Sequence, residues 1–281
     1  MAANSEQVWF VTGASRGIGA SITKAALAAG HRVVATARNP EQAAAELDDH
    51  PNMFVVRLDI TSVDESHTAV ALALEHFGRI DVLVNNAGSS FKGYFEEMSP
   101  EQVRRQLDTN LIGPMNTTRA VLPVMRNQRS GHIITISSGA GLMGFEYSSV
   151  YAASKFGVEG WMSALGREVE LFGIHTTVVN PGFFRTGLAS PESIVWPDVE
   201  VADYSERSAH QRTWWQSQDG EQPGDPEKLA AAIIEIASET PPPRRFIAGR
   251  DVIALAERKI EELRAHIESH RDLSSSLDFE P

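Results

Sequence analysis

Short, nearly continuous apolar runs alternate along the chain with longer stretches of helical hydrophobic spacing. Runs in which almost every position is apolar are typical of strands in a parallel sheet covered on both faces. We predict strands at residues 8–11, 32–35, 53–56, 82–84, 132–136, 176–179 and 245–248. We predict helices at about residues 17–30, 62–77, 101–129, 150–172 and 226–238. Because strands and helices alternate without a shift in composition, the pattern predicts one doubly wound α/β domain over residues 1–281.

Two stretches interrupt this alternation. Residues 187–225, the lid segment, contain Pro191, Pro197 and Pro223 together with three tryptophans, Trp196, Trp214 and Trp215. A long irregular insertion of this kind is usually a functional lid or a disordered segment. The tryptophans favour a lid that packs over an apolar surface or ligand. The alternative is an insertion with a purely structural role.

The C-terminal region has helical spacing. Residues 250–270 are predicted to form a helix with one apolar face, which docks on the domain or on another subunit; the face comprises Ile253, Ala256, Ile260, Leu263 and Ile267. Residues 271–281 are serine-rich and are expected to form a flexible tail.

Composition and charge exclude several classes of function. A net charge of −12 repels phosphate backbones, so we expect no nucleic-acid partner. The absence of cysteine removes disulfides, thiolate metal sites and cysteine nucleophiles. His266 and His270 are one helical turn apart but have no evident third ligand, so we predict no metal site. With neither a long apolar stretch nor a signal-like start at residues 1–7, we expect a cytoplasmic protein without a membrane partner.

A glycine-rich loop follows the first predicted strand. Gly13, Gly17 and Gly19 lie between that strand and a helix. Glycines at this junction allow a tight turn and let the backbone approach a diphosphate at the helix N-terminus. The spacing is Gly-x3-Gly-x-Gly rather than the commoner Gly-x-Gly-x-x-Gly.

A second candidate for chemistry is the pair Tyr151 and Lys155, four residues apart, with Ser138 upstream. On a helix the phenol and the ammonium project from one face. A nearby cation lowers a phenol pKa from its usual value of about 10. With Ser138 holding an oxygen, the set could donate a proton to a carbonyl or remove one from an alcohol. Taken alone, the pair is more often a solvated face or a packing pair.

Several motifs together resemble the short, single-domain branch of the short-chain dehydrogenase/reductases, over about residues 7–190. They occur in family order: Thr12-Gly13-x3-Gly17-Ile18-Gly19, Asp59, Asn85-Asn86-Ala87-Gly88, Asn110, Ser138, Tyr151, Lys155 and Pro181-Gly182-x3-Thr186. The resemblance implies a Rossmann-type, seven-stranded parallel sheet, a nicotinamide cofactor and hydride transfer, as in NADP(H)-dependent carbonyl reductases.

The resemblance also implies roles for individual residues. Tyr151 would be the general acid or base, Ser138 would bind the same substrate oxygen, and Lys155 would contact the ribose and lower the Tyr151 pKa. Family spacing selects Ser138 over Ser137. Asn110 would order a water in a proton relay; it could also satisfy a helix irregularity. The expected cofactor contacts are Gly13, Ser15, Arg16, Gly17, Ile18, Gly19, Arg38, Asp59, Ile60, Asn86, Ala87, Gly88, Tyr151, Lys155, Pro181, Gly182 and Thr186.

The end of the second strand favours NADP(H) over NAD(H). An NAD site commonly has an acidic residue there, which binds the ribose 2′-hydroxyl and would repel a 2′-phosphate. Here that position is Ala37, and Arg38 follows it, while Arg16 lies in the glycine loop. Two guanidiniums suit charge-assisted binding of one phosphate. For Asp59, adenine contact is implied by the resemblance, and an N-cap for the next helix is the alternative.

We expect a hydrophobic ketone, aldehyde or alcohol as the small-molecule substrate, rather than a sugar or a charged acid. The candidate pocket residues besides the lid tryptophans are Phe91, Leu142, Met143, Phe145, Tyr147, Phe183 and Leu188. The alternative function is a non-catalytic NADP(H)-binding regulator on the same fold. The family resemblance further implies a homodimer or homotetramer paired through the long helices.

Overall fold

The computed structural model describes residues 6–190 and 193–279. Pro191, which we assigned to the lid segment, and the last two positions of the predicted tail lie outside the described residues. The strands are β1 Val8–Thr12, β2 Arg32–Ala37, β3 Met53–Arg57, β4 Val82–Asn85, β5 Ser90–Phe91, β6 Gly131–Ile136, β7 Ile174–Pro181, β8 Ile194–Val195 and β9 Arg245–Ala248.

Seven of these strands form one sheet in the order β3-β2-β1-β4-β6-β7-β9. Every neighbouring pair in it is parallel. The predicted Rossmann-type seven-stranded sheet is therefore confirmed, and each predicted apolar run lies within or overlaps one of its strands. The two short strands β5 and β8 pair with each other, outside this sheet.

The helices are α1 Gly17–Ala28, α2 Pro40–Leu47, α3 Val63–Phe77, α4 Pro100–Leu107, α5 Gly113–Gln128, α6 Ser149–Val169, α7 Ser205–Ser217, α8 Pro226–Ser238, α9 Arg250–Ser269 and α10 Arg271–Ser275. The helix predicted at 101–129 is α4 and α5, joined by a π-helical turn at Asp108–Ile112. The sequence pattern missed α2, α7 and α10.

The core lies on both faces of the sheet, because successive strand side chains point to opposite sides. Phe10, Leu83 and Ile133 belong to the layer under α3, α5 and α6. Trp9 and Ile134 belong to the opposite layer, under α1 and α8. All five side chains are completely buried. Full burial of one such side chain stabilises the fold by roughly 1.5–3 kcal/mol, so the sheet is a rigid base for the loops at its edges.

Three predictions about the later part of the chain need correction. The lid segment is not wholly irregular, because it contains α7. The tail begins with the short helix α10 rather than with flexible chain. The face of α9 that packs on the domain contains Val252 and Leu255, which are buried. Four side chains of the predicted apolar face remain about half exposed: Ile253, Ile260, Leu263 and Ile267. They do not dock on the domain, and docking of this face on another subunit stays a prediction.

Local capping explains how α3 begins. Ser62 accepts a hydrogen bond from the backbone N–H of Glu65 at 3.2 Å, which satisfies one of the free donors at the helix start. Ser62, rather than Asp59, is thus the N-cap of α3. Within residues 6–190 and 193–279, no helix has the length and apolarity needed to cross a membrane.

Candidate active site

A cavity of about 1200 Å³ lies at the carboxyl edge of the sheet. The loops after β1, β4, β6 and β7 line it, and α6 forms part of its wall. The strand order reverses between β1 and β4, and in open α/β sheets ligands bind at such a switch point. The topology therefore brings the sequence motifs together, although they are spread over most of the chain.

The glycine loop, of which Gly13 and Gly17 line the cavity, packs too closely against its neighbours to carry side chains at its glycines. Gly13 and Gly17 have φ of 68° and 56°, in the left-handed region that glycine tolerates best. A Cβ on Gly13 would lie 2.8 Å from the Cα of Ala87, and one on Gly19 would overlap the carbonyl oxygen of Gly13. Ser15 and Ile18 also line the cavity.

The turn after β4 is hydrogen-bonded to the start of the glycine loop. The Asn86 side-chain amide donates to the carbonyl oxygens of Thr12 at 2.9 Å and Gly13 at 3.1 Å. The Thr12 hydroxyl accepts from the backbone N–H groups of Asn86 and Ala87, at 3.0 and 3.1 Å. These bonds fix two cavity walls relative to each other. Gly88 lies in the same wall.

The end of β2 carries the residues predicted to choose the cofactor. Ala37 is buried, Arg38 is exposed, and both line the cavity. Arg16 lines it too, and its guanidinium donates to the Ser193 hydroxyl in the lid segment at 2.8 Å. The structure thus places both arginines at one cavity, with Arg16 already bonded to the lid segment.

Asp59 and Ile60, at the end of β3, line the cavity as well. Burial raises the Asp59 pKa, but hydrogen bonds from the Thr61 N–H and hydroxyl and the charges of Arg38 and Arg57 outweigh it, so the pKa is lowered overall. The carboxylate is therefore ionised in the neutral range. It is available as a hydrogen-bond acceptor on the cavity wall, because Ser62 caps α3.

Ser138 and Tyr151 meet where β6 ends and α6 begins. Ser138 accepts a hydrogen bond from the Ala140 N–H at 3.1 Å, and its hydroxyl has a lowering effect on the pKa of the Tyr151 phenol. The adjacent Ser137 hydroxyl is buried and has no hydrogen-bond partner among the described residues. Both serines line the cavity, so the choice of Ser138 over Ser137 stays a prediction.

Lys155 is buried beneath the phenol. Its Nζ donates to the Ile136 carbonyl oxygen at 2.9 Å and lies 5.8 Å from the centroid of the Tyr151 ring. Burial lowers the Lys155 pKa to about 8, against the opposing charge of Glu159.

The Tyr151 pKa differs from the sequence-based expectation. Burial raises it, and the Ser138 hydroxyl only partly opposes that effect. The resemblance implied a pKa lowered by Lys155. Within the protein alone, loss of hydration at the phenolate is the larger effect.

Asn110 lies in the π-helical turn, where the backbone widens. Its side-chain oxygen accepts from the Ser89 N–H at 2.9 Å, and its amide donates to the Ser89 carbonyl oxygen at 3.0 Å and the Ser154 hydroxyl at 3.3 Å. The side chain joins the loop after β4 to α6, next to Lys155. A water relay through Asn110 stays a prediction.

The loop after β7 completes the cofactor side of the cavity. Pro181, Gly182 and Thr186 line it, and a Cβ on Gly17 would lie 3.3 Å from the Thr186 Cβ. Sequence reasoning missed Asp251, in the first turn of α9, which also lines the cavity and accepts from the Phe183 N–H at 2.9 Å. Its long separation from the loop along the chain left no local signal.

The remaining wall is largely aromatic. Of the predicted pocket residues the cavity includes Phe91, Phe145, Phe183, Leu188, Trp214 and Trp215. It does not include Leu142, Met143, Tyr147 or Trp196. Sequence reasoning also missed Lys92 and Ser148, two buried polar residues in the wall. A lysine immediately after the apolar Phe91 was the one available signal.

The described ranges contain no cluster of three or more His, Asp or Glu side chains that could hold a metal ion.

Comparisons with known proteins agree with this geometry. The family model described as short chain dehydrogenase matches residues 7–194. "Oxidoreductase BOA17" of Botryotinia fuckeliana is 37% identical over 270 residues, which cover 95% of this chain and 98% of that protein. A "3-ketodihydrosphingosine reductase" of Bacteroides thetaiotaomicron is 38% identical over 244 residues, covering 86% of this chain and 88% of the relative.

Comparison with solved structures indicates the same family as the sequence comparisons. The crystal structure of a short-chain dehydrogenase from Streptomyces avermitilis superimposes with a TM-score of 0.88 at 37% sequence identity, covering 98% of this chain and 100% of that one. Both the motif-bearing cavity and the whole-chain similarity point to the same family. The chain belongs to the short-chain dehydrogenase family of oxidoreductases.

Proposed function

We propose that the protein is an NADP(H)-dependent oxidoreductase that transfers a hydride between nicotinamide and a carbonyl or secondary alcohol of a mostly apolar small molecule. The observation that carries the proposal is the single cavity shared by Tyr151, Ser138, Lys155 and the glycine loop. The Bacteroides relative is named a 3-ketodihydrosphingosine reductase, and this name supports reduction of a keto group.

The residues of the cavity fit a dinucleotide. The bare backbone at Gly13 and Gly17, which line the cavity, suits a diphosphate at the start of α1, where unpaired N–H groups and the helix dipole favour an anion. Asp59 offers an acceptor to an adenine amino group, and Thr186 a hydroxyl to a carboxamide. The bound cofactor supplies the hydride for reduction and accepts it in the reverse direction.

The cavity wall supports NADP(H) as the cofactor. No carboxylate stands at Ala37, the position whose charge would repel a 2′-phosphate. Arg38 and Arg16 supply positive charge on the same wall, against an overall charge of −12. A hydrogen bond to a charged group contributes about 1.5–3 kcal/mol, so even one such contact would decide the preference.

In the direction of reduction, Tyr151 donates its proton to the carbonyl oxygen while Ser138 hydrogen-bonds that oxygen. The raised Tyr151 pKa keeps the phenol protonated at neutral pH, which suits an acid. In alcohol oxidation the roles reverse, and the Tyr151 phenolate accepts the proton of the alcohol. Lys155, fixed by Ile136, holds the ribose, and Asn110 keeps the adjoining loop in place.

The test is consumption of NADPH with a panel of ketones and aldehydes, compared with NADH. We expect Tyr151→Phe to lower kcat by about 10²–10⁴-fold while NADPH still binds, because only the proton donor is removed. Tyr204→Phe, in the lid segment but outside the cavity lining, is the matched control and should keep the wild-type rate.

Two results would count against the proposal. Wild-type rates for Tyr151→Phe would refute the assigned acid. Tight NADPH binding without turnover on any carbonyl would favour a cofactor-binding regulator.

A further inference from the structure

Lys92 is a buried cation on the substrate side of the cavity. It follows β5, and only 4% of its surface is exposed. Its Nζ lies 3.9 Å from the centroid of the Trp215 ring and 4.9 Å from that of Tyr151. It donates one hydrogen bond, at 2.9 Å, to the Ser148 hydroxyl, which is itself buried. The catalytic phenol and this amine therefore share one wall.

The protein itself compensates this charge incompletely. Among residues 6–190 and 193–279, no carboxylate lies within 4.0 Å of Lys92. An ammonium has three N–H donors, and one of them is used. The two aromatic faces attract the cation, but they accept no full charge. Burial lowers the Lys92 pKa to about 7, which is the response expected of an amine without a counter-ion.

Such an amine is suited to an anionic partner that arrives with the ligand. A carboxylate would occupy the free donors and restore the electrostatic balance that burial removes. The Ser148 hydroxyl, which accepts from Lys92, has its own proton to offer to the same group. The ring of the lid residue Trp215 lies against the amine of Lys92, so an ion pair formed there would be shielded from water.

We propose that Lys92 anchors a carboxylate of the substrate, so that the substrates are oxo acids with an apolar body. The proposal rests on the proposed carbonyl reduction and names its substrate class. With the carboxylate at Lys92 and the carbonyl at Tyr151, the two substrate groups are separated by a few bonds. The aromatic wall formed by Phe91, Phe183 and Trp214 accommodates the apolar body.

The first experiment measures binding without turnover. Phenylbutyrate and phenylbutyramide, which have the same shape and differ in charge, are titrated into the full chain by calorimetry with and without NADP⁺. We expect wild type to bind the acid about ten-fold more tightly or better, in keeping with a charge-assisted hydrogen bond. Lys92→Met, which keeps the alkyl stem, should remove the preference for the acid over the amide. Lys92→Arg should keep part of that preference.

The control is Lys24→Met, which removes an exposed lysine paired with Glu46 and should leave the ratio intact. Equal binding of acid and amide by wild type, or an unchanged ratio in Lys92→Met, would overturn the anchor. This binding experiment gives a result even if the protein reduces no carbonyl. Failure of the proposed function and failure of the carboxylate anchor can therefore be distinguished.

The second experiment uses turnover. Benzoylpropionate and its amide are compared by kcat/KM in wild type and in Lys92→Met. An anchor predicts that the substitution raises KM for the acid and lowers the acid-to-amide ratio about ten-fold. If the variant loses kcat equally on both compounds, Lys92 acts on Tyr151 rather than on the substrate, and the proposal is wrong.

Discussion

His132 offers a measurable test of how this fold depends on a neutral buried side chain. It lies in β6, and its Nε2 is 2.7 Å from the Thr177 hydroxyl on β7. That hydroxyl donates its own proton to the Pro243 carbonyl oxygen, so the ring must be the donor at Nε2. Nδ1 is buried and has no partner among the described residues. Burial, aided by the charge of His175, lowers the His132 pKa to about 3.

The magnitude follows from linkage. The unfolded chain protonates this histidine near the ordinary pKa of 6.5, whereas the folded chain does so only near a pKa of about 3. Between these values the unfolded state binds one more proton, so the free energy of unfolding falls as pH falls. At about 1.36 kcal/mol per pKa unit, the loss is roughly 2 kcal/mol at about pH 5 and approaches roughly 5 kcal/mol near pH 3. Above pH 6.5 the contribution is constant.

Urea denaturation at about pH 7 and pH 5 tests this reasoning. His132→Gln keeps an N–H donor for Thr177 but cannot titrate, so its free energy of unfolding should lose roughly 2 kcal/mol less than wild type over that interval. His67→Gln, which replaces an exposed histidine on α3, should follow wild type. If His132→Gln shows the wild-type pH dependence, the ring does not resist protonation in the folded state and the assignment fails.

Two further substitutions test the cofactor side. Gly13→Ala should weaken NADPH binding, measured by calorimetry, at least ten-fold, because the new Cβ would lie 2.8 Å from backbone. The control is Gly30→Ala, which also has a positive φ but open space around the new Cβ and should bind NADPH normally. Equal losses of affinity in both variants would mean that backbone strain alone is responsible. Ala37→Asp combined with Arg38→Ala should shift the ratio of kcat/KM with NADPH to kcat/KM with NADH towards NADH. Arg57→Ala, which removes a positive charge near Asp59 but lies outside the cavity lining, should leave this ratio unchanged. An unchanged ratio in the double variant would contradict the preference for NADP(H).

The sheet could be predicted from the sequence because its strands are buried on both faces and read as continuous apolar runs. Two of the missed helices, α2 and α7, lack such a signal. Helix α2 buries only Ala43 and Leu47 along its described length, and an alanine-rich stretch has no clear apolar stripe. Helix α7 is held by a distant contact, in which the Ser208 hydroxyl donates to Glu97 at 2.7 Å. Tertiary packing overrides local propensity there.

The cofactor side of the site was predictable for a different reason. The glycine loop and the Tyr151–Lys155 pair are local patterns whose spacing carries the chemistry. Asp251 and Lys92 became visible only when the fold brought α9 and β5 to the cavity. The direction of the Tyr151 pKa shift also required the structure, because it depends on how completely the phenol is separated from water.

The two sides of the cavity therefore come from different parts of the chain. The family model ends at residue 194, and within it lie the glycine loop, Ser138, Tyr151 and Lys155. Trp214 and Trp215 of α7, and Asp251 of α9, come after that limit but line the same cavity. Because a short-chain dehydrogenase keeps its chemistry on the sheet edge, substitutions in these later helices can change which substrate is accepted without altering the proton donor. Lys92 lies within the matched region, as do the wall residues Phe91, Phe145, Phe183 and Leu188, and it contacts Trp215 of the lid segment.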